Sequence, residues 1–577
     1  MNKRFARISA LALLALLFAG CATTSVTQSA SSPAQSAALL LLERGQPREA
    51  ALQLEAQAAA AAAAGSERNQ LLADAAFAWY ESGDAARARS LAAQVQPRQL
   101  SGLSKVRLAL VNAELALVDR QPAQALQALG SDPQAVPQNL RARWHLARAQ
   151  ALEGTGDATA ALDERARADI GLTGQARSDN QRAIVRQLAA LDDATLKARA
   201  AALPAGDPLY NFAGRALISR GLALPHPFDR GEQWGFDTSK RPPAERDGYR
   251  PPAKLAVLLP LSGTLANVAA PVRDGLLAGY YGETRRRPEI DFIDTTGTAA
   301  GALAAYQKAI DGGADFVVGP LGRDEVSALF ARDALPVPLL ALNRGTSTPP
   351  AGNAGFSLAP EDDGIAAAEY LLAHERRNAL LVGSNDDNGR RAVAAFRERF
   401  SERGGKVAAS VSVAEVPGDV GAQLRNASAA DAVFLAVKGS TARALAPQLA
   451  LAGFAGKSRV ATSQLVLGTG KPEDDLVLDG IAYPSELWNV RGVGGLPAAS
   501  SVAETLPTAR GQAARLFAFG YDAWQISAYL EKLATGAEAN LRGATGVLHL
   551  DGFGNILRTP AWSTFSGGRA TPLPDGR

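Results

Sequence analysis

Two different patterns of apolar residues divide the chain. Between about residues 36 and 222, apolar positions recur at helical spacing throughout; after this stretch, short apolar runs alternate with amphipathic helical stretches. The second pattern begins at Lys254–Tyr281, where the apolar run Leu255–Leu259 is followed by a Pro-Leu-Ser-Gly turn and a helical pattern. A buried strand followed at once by a helix is typical of the first βα unit of a parallel sheet.

Seven further strands are predicted after this first unit, and helices separate them. The predicted strands are Ile290–Asp294, Asp315–Gly319, Val337–Leu342, Ala379–Gly383, Val407–Val411, Ala432–Val437 and Arg459–Thr462. The predicted helices include Ala300–Asp311, Asp324–Arg332, Asp362–His374, Gly389–Arg403 and Thr441–Gly453. This alternation predicts a doubly wound α/β architecture, and residues 253–577 are too many for one small sheet. We therefore predict a two-lobed, doubly wound α/β domain with a cleft between its lobes.

Residues 36–222 contain a repeated turn that opens a helix and carries alanine five residues after its start. The four copies are Gly45–Ala50, Gly83–Ala88, Arg120–Ala125 and Gly156–Ala161, which begin 38, 37 and 36 residues apart. Helix–turn–helix units of about this length resemble tetratricopeptide repeats, although the full Trp-Leu-Gly-Tyr signature is absent. We predict a helical domain of TPR-like repeats here, which would serve as an interaction surface or a spacer.

Residues 223–252 interrupt both patterns. Proline pairs at 242–243 and 251–252, with glycines and charged residues between them, disfavour helix and strand. We predict a Pro-rich linker between the repeat domain and the α/β domain.

The N-terminus has the features of an export signal. Residues 1–20 combine a positively charged start with an apolar stretch too short to span a bilayer comfortably, and Leu17–Cys21 resembles a lipobox in which Phe18 replaces the usual Leu or Val. That resemblance implies cleavage before Cys21 and lipidation of its thiol; the alternative is ordinary secretion with a free thiol. Residues 21–35 have the composition of a tether. By analogy with lipoprotein sorting, Ala22 implies the outer membrane.

Composition and charge exclude several classes of function. The net charge of +3 over 577 residues gives no electrostatic reason to expect a nucleic acid partner. The single cysteine excludes an intrachain disulfide, and the four histidines are widely spaced, so we expect no metal and no cofactor. The carboxylate pair Asp362-Asp363 lies at a predicted helix start, where capping explains it. We predict that the chain is not an enzyme.

The candidate ligand-binding residues follow the predicted strands, because ligands of open α/β sheets gather at the carboxyl ends of the strands. These residues, which would line the cleft between the lobes, are Ser262, Gly263, Gly319, Asn343, Ser384 and Ser440. Backbone amides and hydroxyls at such positions hold a carboxylate in small-ligand carriers. Tight turns into the following helices explain the same residues, and we favour that interpretation over a small-molecule site.

Several motifs together resemble the LpoA family of penicillin-binding protein activators. They are Leu258–Gly263, Arg273–Tyr281, Val318–Glu325, Leu340–Asn343, Phe356–Asp363, Phe519–Trp524, Gly543–Leu548 and Asp551–Ile556. Type I periplasmic-binding-protein folds share several of these motifs, but their order and the preceding helical repeats are specific to the family.

The resemblance implies a lipoprotein attached to the outer membrane through Cys21 on its periplasmic face. Its partner would be a bifunctional class A penicillin-binding protein, whose peptide cross-linking it would stimulate. In this family the binding-protein-like domain contacts the synthase and the repeat domain extends the reach. Two alternatives stay open: a lipid-anchored solute-binding protein for an amino acid or muropeptide, and a hydrolase or lyase acting on the cell wall.

Overall fold

The computed structural model describes residues 33–62, 65–229, 241–332, 334–536 and 540–574. Its contacts divide the chain into two compact units: residues up to Gln181, here called the helical unit, and residues from Arg182 onwards, here called the α/β unit. Cys21, the signal peptide predicted at 1–20 and most of the tether predicted at 21–35 lie outside the described residues.

The helical unit consists of antiparallel helix pairs joined by short turns. Its helices are α1 (Pro33–Glu43), α2 (Pro47–Ala60), α3 (Ser66–Glu81), α4 (Ala85–Ala92), α5 (Gly102–Val118), α6 (Pro122–Leu129), α7 (Gln138–Thr155), α8 (Ala158–Asp169) and the first part of α9 (Gly174–Ala190). Successive helices pack on each other, and the first helix of one pair also packs on the first helix of the next, as α3 does on α5. Stacked pairs of this kind form the helical repeat fold that the sequence predicts.

The repeated turn has the same geometry in each of its four copies. The first residue of each copy has a positive φ: +77° at Gly45, +88° at Gly83, +58° at Arg120 and +88° at Gly156. The alanine five residues later is fully buried in every copy, at Ala50, Ala88, Ala125 and Ala161. The first residue reverses the chain after one helix, and the alanine permits the next helix to pack closely. The repeat in the sequence therefore corresponds to a repeat in the structure.

A buried polar network lies among α1, α3 and α5. Asp74 is 1% exposed and pairs with Arg107 at 3.0 Å, while Gln35 and Ser104 donate to its second oxygen at 2.9 and 3.1 Å. Because a buried carboxylate needs such partners, the network selects one arrangement of the first repeats.

The α/β unit contains two lobes. The first lobe has a parallel sheet in the order β2-β1-β3-β4-β5. Its elements are β1 (Lys254–Leu259), α12 (Ala266–Gly282), β2 (Glu289–Asp294), α13 (Ala299–Asp311), β3 (Phe316–Val318), α14 (Arg323–Phe330), β4 (Leu339–Ala341) and β5 (Ala354–Gly355). The long helix α22 (Gln512–Thr535) and a small antiparallel sheet of β11 (Asn540–Arg542), β12 (Val547–Leu550) and β13 (Ile556–Thr559) complete this lobe.

The second lobe has a larger sheet in the order β15-β14-β10-β9-β8-β6-β7. Its elements are α15 (Pro360–Ala373), β6 (Asn378–Ser384), α16 (Asp387–Glu402), β7 (Lys406–Val413), α17 (Gly421–Arg425), β8 (Ala432–Ala436), α18 (Gly439–Leu451), β9 (Ser458–Ala461), α19 (Pro472–Asp475), β10 (Ile481–Ser485), β14 (Ala561–Ser566) and β15 (Arg569–Pro572). Strands β7, β6, β8, β9 and β10 are parallel, and β14 and β15 are antiparallel additions. The predicted α/β architecture is confirmed, and every predicted strand is present with ends shifted by at most two residues.

The chain crosses between the lobes three times. The first crossing is residues 356–359, the second is residues 486–511, which include the short helices α20 (Leu487–Arg491) and α21 (Ala499–Thr505), and the third is residue 560. A fold with three crossings brings residues from distant parts of the chain together at the junction of the lobes.

Two glycine-containing motifs of the sequence meet where α12 packs along α22. A Cβ atom on Gly520 would lie 1.9 Å from the carbonyl oxygen of Val272, and one on Gly275 would lie 1.9 Å from the carbonyl oxygen of Phe517. Only glycine permits the two backbones to approach so closely. This contact explains why both motifs contain glycine.

Helices α10 (Asp193–Ala202) and α11 (Tyr210–Ser219) belong to the α/β unit. The predicted domain boundary at residue 222 therefore lies inside a compact unit. The physical reason is that side chains of α11 pack on the α/β lobes, as Phe212 does on Phe553 with ring centroids 4.6 Å apart. The described part of the predicted linker has no regular element and also binds the first lobe, since Arg250 pairs with Glu531 of α22 at 2.8 Å.

Candidate functional site

Ser262 and Gly263 lie in the turn between β1 and α12. The Ser262 hydroxyl donates to Asp294 at the end of β2 at 2.6 Å, and the amide of Thr296 donates to the same carboxylate at 2.8 Å. These donors hold the pKa of Asp294 below its usual range. Gly263 has a φ of +76°, which the turn requires. The serine therefore joins two neighbouring strand ends.

Gly319 and Asn343 follow β3 and β4 in the same lobe. Gly319 is buried, and a Cβ atom there would lie 2.0 Å from the carbonyl oxygen of Leu258, so its role is close packing within the sheet. The Asn343 amide donates to the carbonyl of Leu321 at 2.9 Å, and its oxygen accepts from the amide of Arg344. Both residues take part in local structure.

Ser384 and Ser440 belong to the second lobe. The Ser384 hydroxyl donates to Asp386 at 2.7 Å, and Asp386 caps α16 by accepting from the amide of Gly389. Burial raises the pKa of Asp386, but these donors and Lys438 outweigh it and lower the pKa overall. Ser440 is half-buried in the first turn of α18, and its amide donates to the carbonyl of Leu467 at 3.3 Å.

The predicted cleft residues thus form two groups, one at the carboxyl ends of the strands in each lobe. A direct bond between the lobes lies near them: Arg344, after β4, pairs with Asp362, in the first turn of α15, at 2.5 Å. The hydroxyls of Ser262 and Ser384 and the amide of Asn343 are engaged by protein partners. These partners favour structural turns, and a ligand role for the six residues stays a prediction.

Sequence reasoning missed a largely buried ionic cluster at the junction of the lobes. Asp363, with a side chain 4% exposed, lies 3.5 Å from both Arg515 and Arg558 and accepts from Ser463. Arg515 also lies 3.3 Å from Glu486. Below, these four charged residues, Asp363, Glu486, Arg515 and Arg558, are called the junction cluster.

The junction cluster contains charged residues from the flanks of all three crossings. Asp363 follows the first crossing, Glu486 begins the second, Arg515 lies in the first turn of α22 at the end of the second, and Arg558 precedes the third. Capping explained the Asp362-Asp363 pair in the sequence, and that explanation does not account for Asp363, which is buried among arginines. Sequence offers one weak signal for the cluster: the pair lies directly after a short segment between two predicted domain halves.

An open depression of about 500 Å³ in the helical unit is lined by residues of two consecutive repeat turns. Arg48, Trp79, Ser82 and Asp84 contribute side chains. The Trp79 indole donates to Glu55 at 2.9 Å, and Asp84 caps α4, so these polar groups are engaged within the unit.

Within the described ranges, no group of three or more His, Cys, Asp or Glu residues has the arrangement of a metal site. In the same part of the chain, no helix combines the length and apolar character needed to cross a bilayer.

Comparison with known families gives one broad match. The model of the family described as "LppC putative lipoprotein" matches residues 249–425 and 411–568, which together make up more than half of the chain.

The proteins to which the chain is similar include the penicillin-binding protein activators LpoA of Photobacterium profundum, 25% identical over 356 residues, and of Vibrio vulnificus, 28% identical over 352 residues. The alignments cover 56% and 54% of this chain and 57% of each relative. The chain thus spans little more than half the length of these curated relatives.

Solved structures include similar chains. Full-length LpoA from Haemophilus influenzae is 17% identical, and the match covers 95% of this chain and 99% of that chain with a TM-score of 0.48. The LpoA C-domain from the same organism, described as a regulator of PBP1A, is 20% identical over 56% of this chain and 100% of that chain, also with a TM-score of 0.48. The leucine-binding protein LivK from Thermotoga maritima is 18% identical over 56% of this chain and 98% of that chain, with a TM-score of 0.38.

Proposed function

The chain belongs to the LppC lipoprotein family, and from this premise we propose that it is a non-catalytic activator of peptidoglycan synthesis. It binds a bifunctional class A penicillin-binding protein and stimulates its transpeptidase activity. The observation that carries the proposal is the family match over residues 249–568, together with relatives named penicillin-binding protein activator LpoA.

The chemistry of the α/β unit supports a role without catalysis. At the carboxyl ends of the strands, the Ser262 hydroxyl donates to Asp294 and the Ser384 hydroxyl donates to Asp386. Both of these partners are carboxylates. His145 lies in the helical unit, where it pairs with Glu164 at 2.6 Å and is buried. A catalytic serine is usually activated by an adjacent general base; the hydroxyls of Ser262 and Ser384 instead stabilise turns at the strand ends, which fits binding through a surface.

The decisive experiment combines the mature chain, carrying Cys21→Ala, with a purified class A synthase and its lipid-linked substrate. The fraction of cross-linked peptide is measured with and without the chain, and glycan length is followed in the same samples. We expect the cross-linked fraction to rise when the chain is present. A monofunctional transpeptidase provides the matched control. The absence of both binding and stimulation would exclude this function.

Lipid attachment at Cys21 places the protein on the periplasmic face of the outer membrane in this proposal. The Cys21→Ala variant should appear in the soluble periplasmic fraction, whereas Ala22→Asp should redirect the lipidated chain to the inner membrane. A Cys21→Ala variant that still fractionates with membranes would contradict lipid anchoring.

A lipid-anchored solute-binding protein is the second candidate. The observation in its favour is that each lobe has a parallel sheet with Ser, Asn or Gly residues at the carboxyl ends of its strands, the usual position of a ligand in such folds. Calorimetric titration of the full chain with amino acids and muropeptides distinguishes the two. Tight binding that Ser262 and Ser384 variants abolish would support the carrier.

A further inference from the structure

We propose that the two lobes of the α/β unit are held at one fixed opening, because residues Asp193–Arg220 form a brace that is bonded to both lobes. The brace comprises α10, α11 and the turn between them. This inference is independent of the proposed function, since it concerns the relative motion of the lobes alone.

The brace is attached to the first lobe at the turn between β12 and β13. Arg215 pairs with Asp551 at 3.1 Å, and its guanidinium carbon lies 5.2 Å from the centre of the Phe553 ring. Phe212, one turn earlier on α11, packs against the same ring. Asp551 is fully buried and accepts from the amides of Phe553 and Asn555, so the attachment point is itself rigid.

The brace is attached to the second lobe through a shared carboxylate. Asp193, which begins α10, accepts from Arg403 at the end of α16 at 3.1 Å and from Arg220 at the end of α11 at 3.0 Å. The Arg220 side chain is 1% exposed and also donates to the carbonyl of Leu188. Arg403 lies 3.6 Å from Glu369 of α15, and α11 packs on α15 directly.

Helix α11 therefore carries the first attachment directly through Arg215 and the second indirectly, because Arg220 at its end shares the Asp193 carboxylate with Arg403. Arg215 and Arg220 are five residues apart on α11, or about 7.5 Å along a helix axis. A helix cannot stretch, so the two attachment points cannot separate unless one of these sets of bonds breaks.

The junction cluster restrains the same motion from inside the unit. Hinge closure requires the crossings to change their backbone angles. Here Asp363, Arg515 and Arg558 come from the flanks of different crossings and share buried bonds, so rotation of one lobe would leave buried charges without partners. The brace on the surface and the cluster at the junction together hold the lobes as a single body, which presents one composite surface to a partner.

Pulsed electron–electron double resonance, which measures the distance between two spin labels, tests the proposal on the full mature chain. Spin labels are placed at Lys308→Cys in α13 of the first lobe and Ala450→Cys in α18 of the second, both exposed, in a Cys21→Ala background. We expect one narrow distance distribution. The double variant Arg215→Ala with Arg403→Ala removes both attachments and should broaden the distribution at least twofold. Arg89→Ala, which breaks an exposed pair with Asp119 in the helical unit, is the matched control and should change nothing.

Two results would overturn the proposal: a broad or two-peaked distribution in the parent chain, or a distribution that stays narrow in the double variant. Circular dichroism verifies folding. If the double variant does not fold, the single variants Arg215→Met and Arg403→Ala are measured instead. The methionine keeps an aliphatic side chain against Phe553 and removes only the charge. An unchanged distribution in a folded Arg215→Met chain together with a folded Arg403→Ala chain would equally contradict the brace.

Discussion

Arg120 adopts the same left-handed backbone conformation as Gly83, with φ angles of +58° and +88° at the start of consecutive repeat turns. Glycine adopts this conformation without steric cost, whereas a side chain with a Cβ atom is strained by about 1 kcal/mol or more. The turn accepts arginine because the helices on both sides impose its geometry.

Replacing Arg120 with glycine should stabilise the helical unit by about 0.5–1 kcal/mol, because the strain disappears and the exposed side chain makes little contribution. Urea unfolding of the full chain, followed by helical circular dichroism, measures the change. Lys105→Gly, at an exposed position within α5, is the matched control and should destabilise by about 1 kcal/mol. Equal losses in both variants would show that Arg120 is not strained.

The crossing of α12 and α22 should not tolerate a methyl group. In Gly520→Ala the new Cβ would lie 1.9 Å from the backbone oxygen of Val272, so the two helices must separate. We expect a loss of about 3 kcal/mol or more in the unfolding free energy, measured calorimetrically. Gly456→Ala serves as the control, since nothing lies within 4 Å of a Cβ at that position. A loss below about 1 kcal/mol for Gly520→Ala would mean that the helices are less closely packed than described.

The junction cluster should be sensitive to the loss of its carboxylate. Asp363→Asn removes the counter-charge that Arg515 and Arg558 share; Arg515 keeps Glu486, but Arg558 is buried, and breaking a buried pair in this way costs about 3–5 kcal/mol. The exposed Asp294→Asn is the matched control and should cost about 1 kcal/mol or less. Chemical unfolding of the full chain gives both values, and similar losses for the two variants would argue against a structural role for the cluster.

The pattern of neighbouring residues is sufficient to predict those strands and turns whose structure depends on contacts close along the chain. Strand β8 (Ala432–Ala436) is entirely buried, and its continuous apolar run is what a central parallel strand requires. The positive φ of Gly83 and the burial of Ala88 likewise follow from one short motif. A few neighbouring residues are enough to determine features of this kind.

Features that depend on distant contacts were not predictable in this way. Asp363 begins a helix like any capping carboxylate, and its partners Arg515 and Arg558 are far along the chain. Helix α11 has the same apolar periodicity as the repeats, but Phe212 packs on Phe553, which the periodicity cannot reveal. The antiparallel strands β14 and β15 are short and mixed in polarity, so they lack the apolar run that identifies the other strands.

The helical unit should lose stability in acid through Glu164. Burial raises the pKa of this carboxyl, but the hydrogen bond with His145 and the nearby Arg167 and Arg148 outweigh burial, so the pKa lies below its usual value of 4.5. A carboxyl with a lowered pKa stabilises the folded chain fully above pH 4.5, and this contribution is lost as the pH falls through the lower folded value.

Melting temperatures of the full chain between pH 6 and pH 3 measure this effect. The parent should lose more stability over this range than Glu164→Gln, which cannot ionise at this position. The difference should develop as the pH falls below 4.5, where the unfolded chain takes up a proton at Glu164 before the folded chain does. Parallel pH profiles for the two chains would show that Glu164 does not contribute to the acid sensitivity.

Surface docking and ligand binding in the cleft place different demands on the hydroxyls at the strand ends of the two lobes. Ser262→Ala combined with Ser440→Ala removes one hydroxyl from each lobe, and of these the Ser262 hydroxyl donates to the exposed Asp294. We expect the double variant to stimulate cross-linking by the class A synthase within twofold of the parent chain, because an activator that docks through its surface does not use these hydroxyls. A solute-binding protein would lose a ligand contact on each side, and two lost hydrogen bonds would weaken ligand binding by about 1–3 kcal/mol, or roughly 5- to 150-fold. Cross-linking assays and calorimetric titration on the same preparations distinguish these outcomes: loss of stimulation together with loss of ligand binding would assign the activity to a filled cleft.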